Sequence, residues 1–186
     1  MKDNFRPMLA ATLEESNLVS LNYPLILMPK LDGIRCILLE GKAVSRKLKK
    51  IPNRYIRVKL ESYIRKYPVL VYCEVIIEGK TFNEIQSAIM SEFGEPNFIY
   101  KVFDSSIDWD FLPYKSRLEN LAFSVPRASF IEFLNYKIVH TIEELLEYET
   151  YCLVDRFEGI ILRSLEGVYK FGRSTLREGG RGRLAD

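Results

Sequence analysis

The sequence predicts an α+β fold. Two observations carry this: strand-like and helix-like segments alternate along 186 residues without an internal repeat or low-complexity linker, and 47% of the residues are hydrophobic, enough for a substantial core. Leu25 and Leu27, then Ile37, Leu38 and Leu39, read as two strands with Lys30 at the bend between them. Asn53 to Lys66 reads as a helix, because Asn53 can cap it and Ile56, Leu60 and Ile64 recur on one stripe, with Arg54, Arg57 and Lys59 off it. Val69 to Ile77 is an almost unbroken apolar run rich in β-branched residues, hence a buried strand, and it carries one acid, Glu74. Thr81 to Met90 reads as a capped helix: Thr81 and Glu84 form a Thr-x-x-Glu capping box, and Ile85 and Ile89 share a side. Phe98 to Asp104 follows as a strand, Tyr114 to Phe123 as a helix and Phe130 to Val139 as an extended segment. Thr141 to Tyr151 reads as a helix with Leu145 and Tyr148 inward, and Phe157 to Leu162 as a last strand.

Composition excludes several classes of function. Lysine plus arginine number 27 against 25 acids, so the net charge of +2 does not by itself mark a nucleic-acid binder. The charge is nevertheless polarised: Arg46, Lys47, Lys49, Lys50, Arg54, Arg57 and Lys59 form one basic stretch, Lys170 to Arg183 holds another, and Glu143, Glu144, Glu147 and Glu149 gather between them. Cys36, Cys73 and Cys152 sit among apolar neighbours without C-x-x-C spacing and are expected to be buried thiols. The N-terminus has no apolar signal core, and no run approaches the roughly 18 apolar residues of a membrane span. A cytoplasmic protein, in the host cytoplasm if viral, with no membrane partner is therefore expected. His140 is the single histidine and reads as structural or surface, so a histidine-based triad or zinc site is excluded.

The chemistry is concentrated in Lys30-Leu31-Asp32-Gly33-Ile34-Arg35, which places an amine nucleophile, a carboxylate, a glycine and a guanidinium together at a strand end. These are the parts needed to attack a nucleotide phosphate, although the charged turn of a surface hairpin would present the same residues. Glu74 stands alone inside its apolar strand, Glu158 opens Glu158-Gly159-Ile160-Ile161-Leu162-Arg163, and Tyr169-Lys170-Phe171-Gly172-Arg173 sets two cations around aromatics. A strand carboxylate costs several kcal/mol to bury unless a cation or metal compensates it, so two such acids point to a shared divalent ion or charged ligand. A structural salt bridge would account for either acid alone.

Taken in order, these segments resemble the covalent nucleotidyltransferase superfamily, and within it the ATP-dependent DNA ligases of bacteriophage type. Arg6-Pro7-Met8-Leu9-Ala10 is similar to the ligase N-terminal segment, Lys30 to Arg35 to the nucleophile motif, and Ser45-Arg46 to a second short motif. Tyr100-Lys101-Val102-Phe103-Asp104 resembles the strand whose aromatic stacks on adenine, and Glu158-Gly159 the acid motif that helps hold the metal. The resemblance implies an ATP-grasp-like nucleotidyltransferase domain over residues 1–178, with antiparallel sheets flanked by helices. It implies Lys30 as the catalytic residue, ATP and Mg²⁺ (or Mn²⁺) as cofactors, and Arg35, Arg46, Glu74, Phe103 and Lys170 as nucleotide-binding residues. Glu74 and Glu158 would hold the metal, and nicked duplex DNA would be the partner, met by Lys49, Lys50, Arg54 and Arg57. The implied activity serves DNA repair, replication and recombination.

The family continues beyond this point through an apolar pair and a Lys-x-Lys sequence into an OB-fold domain. Residues 179–186 here read Gly-Gly-Arg-Gly-Arg-Leu-Ala-Asp, an atypical tail whose glycines are not expected to form a strand. The OB-fold is thus expected to be absent from this chain, a monomer, and full sealing to call on a separate OB-fold or clamp partner. An RNA ligase or mRNA-capping guanylyltransferase would share Lys30, Glu74 and Glu158. A non-catalytic nick-binding remnant would bind without forming a covalent adduct.

Overall fold

The computed structural model describes residues 6–66, 71–105, 111–125, 127–175 and 179–182. In chain order the elements are β1 (Ala11–Thr12), a 3-10 helix (Glu15–Ser20), β2 (Leu25–Pro29), β3 (Ile34–Leu39), β4 (Lys42–Ser45), α1 (Arg54–Lys66), β5 (Val71–Ile76), α2 (Phe82–Met90), β6 (Ile99–Ser105), α3 (Tyr114–Ser124), β7 (Ile131–Phe133), β8 (Lys137–Val139), α4 (Ile142–Val154), β9 (Ile160–Ser164) and β10 (Gly179–Gly182). They fall into two compact units. The first comprises Met1–Leu31, Trp109–Ser116 and Leu134–Asp186, and the second Asp32–Asp108 and Arg117–Phe133. The chain passes from one to the other between Leu31 and Asp32, inside the Lys30–Arg35 segment.

The first unit holds a sheet in the order β1-β10-β9-β2-β8. Leu25 and Leu27 of β2, Ile160 and Leu162 of β9 and Val139 of β8 turn to one face, where Leu145 and Cys152 of α4 meet them in a buried cluster. Each fully buried Leu or Ile side chain contributes about 1.5–3 kcal/mol relative to exposure, so this alternation pins the register. Thr141 caps α4, its hydroxyl accepting from the Glu144 N–H. His140 is exposed, and its backbone N–H donates to Glu144 Oε2 at 2.7 Å.

The second unit is built on a sheet in the order β4-β3-β5-β6-β7. Ile56, Leu60 and Ile64 of α1 and Ile85 and Ile89 of α2 pack with Cys36, Leu38, Cys73, Val75, Tyr100 and Val102. Asn53 is fully buried because it is fully used: Oδ1 accepts from the Ile56 N–H at 2.9 Å, and Nδ2 donates to the Ala88 carbonyl at 3.2 Å. At the end of β6, Asp104 takes two bonds from Arg117 of α3, at 2.9 and 3.3 Å, and both side chains are 0% exposed. Cys36, Cys73 and Cys152 are free and buried, as their apolar surroundings predict. Burial pushes the Cys36 and Cys73 thiols far above their ordinary range.

Several expectations are corrected. Gly179–Gly182 does form a strand, β10, running between β1 and β9 with Gly180 opposite both Ala11 and Leu162. Neighbours on both sides supply backbone hydrogen bonds that offset the entropic cost of ordering glycine. The strands flanking Lys30 are not a hairpin, since β2 pairs with β8 and β9 whereas β3 pairs with β4 and β5. The extended stretch from Phe130 to Val139 is two strands in different sheets, β7 and β8. Nor are the sheets wholly antiparallel, because β1 with β10 and β6 with β7 are parallel pairs. The expected strand start at Val69 and Leu70 and the tail residues 183–186 lie outside the described residues. Among the described residues no helix is long and apolar enough to cross a membrane.

Candidate active site

Lys30 follows the last residue of β2 and is fixed through its backbone before its side chain is considered. Its N–H donates to the Gly159 carbonyl at 2.8 Å and its carbonyl accepts from the Glu158 N–H at 3.3 Å. This reciprocal pair ties Lys30 to the residues just before β9. The ammonium of Lys30 then forms an ion pair with Glu158 Oε2, the two side chains being 28% and 42% exposed. Two residues far apart in sequence are therefore one structural group, and solvent reaches it.

A second joining in the first unit involves the two segments flagged at the ends of the chain. The Met8 N–H donates to Tyr169 Oη at 2.7 Å, the Leu9 N–H to the Gly172 carbonyl at 2.8 Å, and the Ser174 N–H to the Leu9 carbonyl at 2.7 Å. Ser174 Oγ accepts from the Ala11 N–H at 3.0 Å. Arg6 to Ala10 and Tyr169 to Arg173 are thus stitched together, with Lys170 half-buried in the seam. Sequence reasoning did not find a further grouping in the first unit: the Arg163 guanidinium lies 4.4 Å from the Tyr114 ring centre, and Tyr114 Oη is 3.3 Å from Met28 Sδ. An aromatic at a helix start carries no local sign of such a contact.

In the second unit Arg35, Glu74 and Phe103 come together on three adjacent strands. Arg35 is directly opposite Glu74, and Arg35 Nε is 3.4 Å from Glu74 Oε1. The Arg35 guanidinium lies 4.7 Å from the Phe103 ring centre. Tyr100 and Val102 point into the core, so Phe103 and Lys101 take the opposite face. Gly33 is required by a close approach: a Cβ there would lie 2.7 Å from Ile76 Cγ2 and 3.0 Å from the Val75 carbonyl oxygen. Arg46, Lys49 and Lys50 are exposed around the turn after β4, and Arg54 is exposed at the start of α1. Arg57 is used differently, donating to the carbonyls of Ile51 and Pro52 at 2.8 and 3.0 Å.

The two acids are placed separately, Glu158 in the first unit and Glu74 in the second, and each already faces a cation. Among the described residues no three His, Cys, Asp or Glu side chains cluster as a metal cage. A hard divalent cation in phosphoryl transfer takes one or two carboxylates and fills its shell with phosphate oxygens and water, so single acids of this kind suit it.

Comparison with known proteins places this geometry in a family. No family model matches the chain and no curated protein does. Among solved structures, the chain is similar to Chlorella virus DNA ligase-adenylate, at 32% identity over 97% of this chain and 68% of that one, with a TM-score of 0.82. A second structure of that viral ligase-adenylate gives 32% identity over 96% and 66%, with a TM-score of 0.81. The fold is also shared with the ATP-dependent DNA ligase from bacteriophage T7 in complex with ATP, at 17% identity, 97% of this chain, 68% of that one and a TM-score of 0.71. The chain thus spans about two thirds of the viral ligase, and at 32% identity it belongs to the ATP-dependent DNA ligases, corresponding to their adenylation domain.

Proposed function

We propose that the chain carries out the adenylation chemistry of a DNA ligase, with Lys30 as the nucleophile. The observation that carries this reading is the locking of Lys30 to Glu158–Gly159 by paired backbone bonds and an ion pair. Lys30 Nζ gives up a proton to water, its lone pair attacks the α-phosphorus of ATP, the bond to the bridging oxygen breaks, pyrophosphate leaves with that electron pair, and the nitrogen loses a second proton to water. A lysyl-AMP phosphoramidate remains. AMP then passes to the 5′-phosphate of a nick, and attack by the adjacent 3′-hydroxyl releases it.

Charge grows on phosphate oxygens in every step, so cations carry most of the catalysis. In this reading Arg46 and Lys170 are phosphate-binding cations, Arg35 and Glu74 bind the sugar, and Phe103 is the ring that stacks on adenine. Glu158 accepts a hydrogen bond from the Lys30 ammonium. Glu158 in the first unit and Glu74 in the second are the acids suited to hold Mg²⁺ or Mn²⁺, which would supply positive charge that offsets charge on the leaving group. Lys49, Lys50 and Arg54 are the DNA-facing cations, while Arg57 contributes by holding the loop before α1. Complete sealing draws on an OB-fold domain or clamp in addition to the residues described.

Intact-mass measurement tests the reading. Protein stripped with pyrophosphate and then given ATP and Mg²⁺ should gain one AMP, with acid-labile linkage, and Lys30→Ala should gain none. Labelling of the variant, or GTP used in preference to ATP, sinks the proposal, the latter in favour of a capping-type enzyme.

A further inference from the structure

The sheet face that carries Arg35 and Glu74 continues past them. Arg35 lies directly opposite Glu74, Glu74 opposite Lys101, and Lys101 opposite Glu132. Charges of alternating sign therefore run in one row across β3, β5, β6 and β7. Side chains opposite one another on neighbouring strands have Cβ atoms about 4.5–5.5 Å apart, so each inner charge feels both of its neighbours. The row resolves into two pairs: Arg35 with Glu74 at 3.4 Å, and Lys101 with Glu132 in direct contact.

The inner lysine is the ambivalent member. Its side chain is 18% exposed, against 46% for Glu132, and it has a carboxylate on either side. An ammonium drawn to Glu74 would compete with Arg35 and with any ribose hydroxyl for the same oxygens. Pairing with Glu132 removes that competition.

We propose that Glu132 is a positioning residue of the nucleotide site, holding the Lys101 ammonium on the β7 side so that the Glu74 carboxylate stays committed to Arg35 and to the ribose of ATP. The inference rests on the nucleotide-site reading of Glu74 given above. It separates Glu132 from a merely structural ion-pair partner, because removing the lysine as well should undo the damage done by removing Glu132.

The test is lysyl-AMP formation by the full chain across ATP concentrations, with thermal unfolding as a check on the fold. Glu132→Gln should raise KM for ATP about fivefold and leave kcat within about twofold, the size expected from one partly exposed ionic contact. Adding Lys101→Met to that variant should bring KM back to within about twofold of wild type. The charge swap Lys101→Glu with Glu132→Lys keeps an ion pair but sets a carboxylate beside Glu74, and should raise KM although the pair survives. An unchanged KM in Glu132→Gln, a double variant as impaired as the single one, or full rescue by the swap overturns the inference alone. Wild-type protein that takes no AMP from ATP overturns the reading beneath it and the inference together.

Discussion

Phe103 and Val102 are chain neighbours with opposite duties, since β6 sends Val102 into the core and leaves Phe103 against the Arg35 guanidinium. Phe103→Ala should therefore weaken ATP binding by about 1–3 kcal/mol through lost stacking on adenine and, the ring being only 9% exposed, lower the melting temperature as well. Calorimetric titration with ATP beside a thermal melt decides it, because a purely core phenylalanine would lower the melting temperature and leave the affinity of the folded protein for ATP unchanged. At this scale the sequence located Lys30 at the end of an apolar strand and Glu74 inside one, and each carries an opposite charge against it. It was silent about Glu132 and Arg117. Their meaning depends on partners brought near by strand pairing and by packing of α3, and neither residue has a local pattern that names Lys101 or Asp104.

Among the elements, α2 shows how local chemistry can be read directly. Thr81 and Glu84 form the reciprocal capping box that their spacing predicts, the Glu84 N–H reaching Thr81 and the Thr81 N–H donating to Glu84 Oε2 at 2.9 Å. The Lys80 ammonium, with the Thr81 N–H and hydroxyl, holds the Glu84 carboxyl down at about 2. Thr81→Ala should cost about 1 kcal/mol in urea unfolding at neutral pH. Because the folded carboxyl is depressed, its contribution is present above the ordinary carboxylate range near pH 4.5 and fades as the pH falls toward about 2, so the penalty should shrink across that interval. Strand pairing was less legible than helix capping. Periodicity located β2 and β3, yet nothing local says that they join different sheets, and the glycines of β10 gave no apolar signal because that strand is held by backbone bonds to β1 and β9.

For the whole molecule, each of the two units has its own buried cluster, and the basic residues Lys49, Lys50 and Arg54 all belong to the second. Binding to nicked duplex should be weak and fall steeply with salt, each phosphate contact adding about 0.9 to the slope of log K against log salt. Replacing Lys49, Lys50 and Arg54 together with alanine should flatten that slope, read by fluorescence anisotropy at several salt concentrations. Binding to nicked duplex that does not respond to salt would show that these cations matter little.

The seam between Met8–Ala11 and Tyr169–Ser174 has a consequence for the order in which the polypeptide matures. Residues 32–108 and 117–133 of the second unit are all synthesised before β8, β9 and the seam's later half. Meanwhile the N-terminal thirty-one residues of the first unit wait for partners more than a hundred positions downstream. Domains fold as units during synthesis, and contacts of such long sequence separation form late. The nascent chain should thus place Arg35, Glu74 and Phe103 on a folded support while Lys30 is still unanchored, so that the proposed nucleophile is the last of these residues to be set.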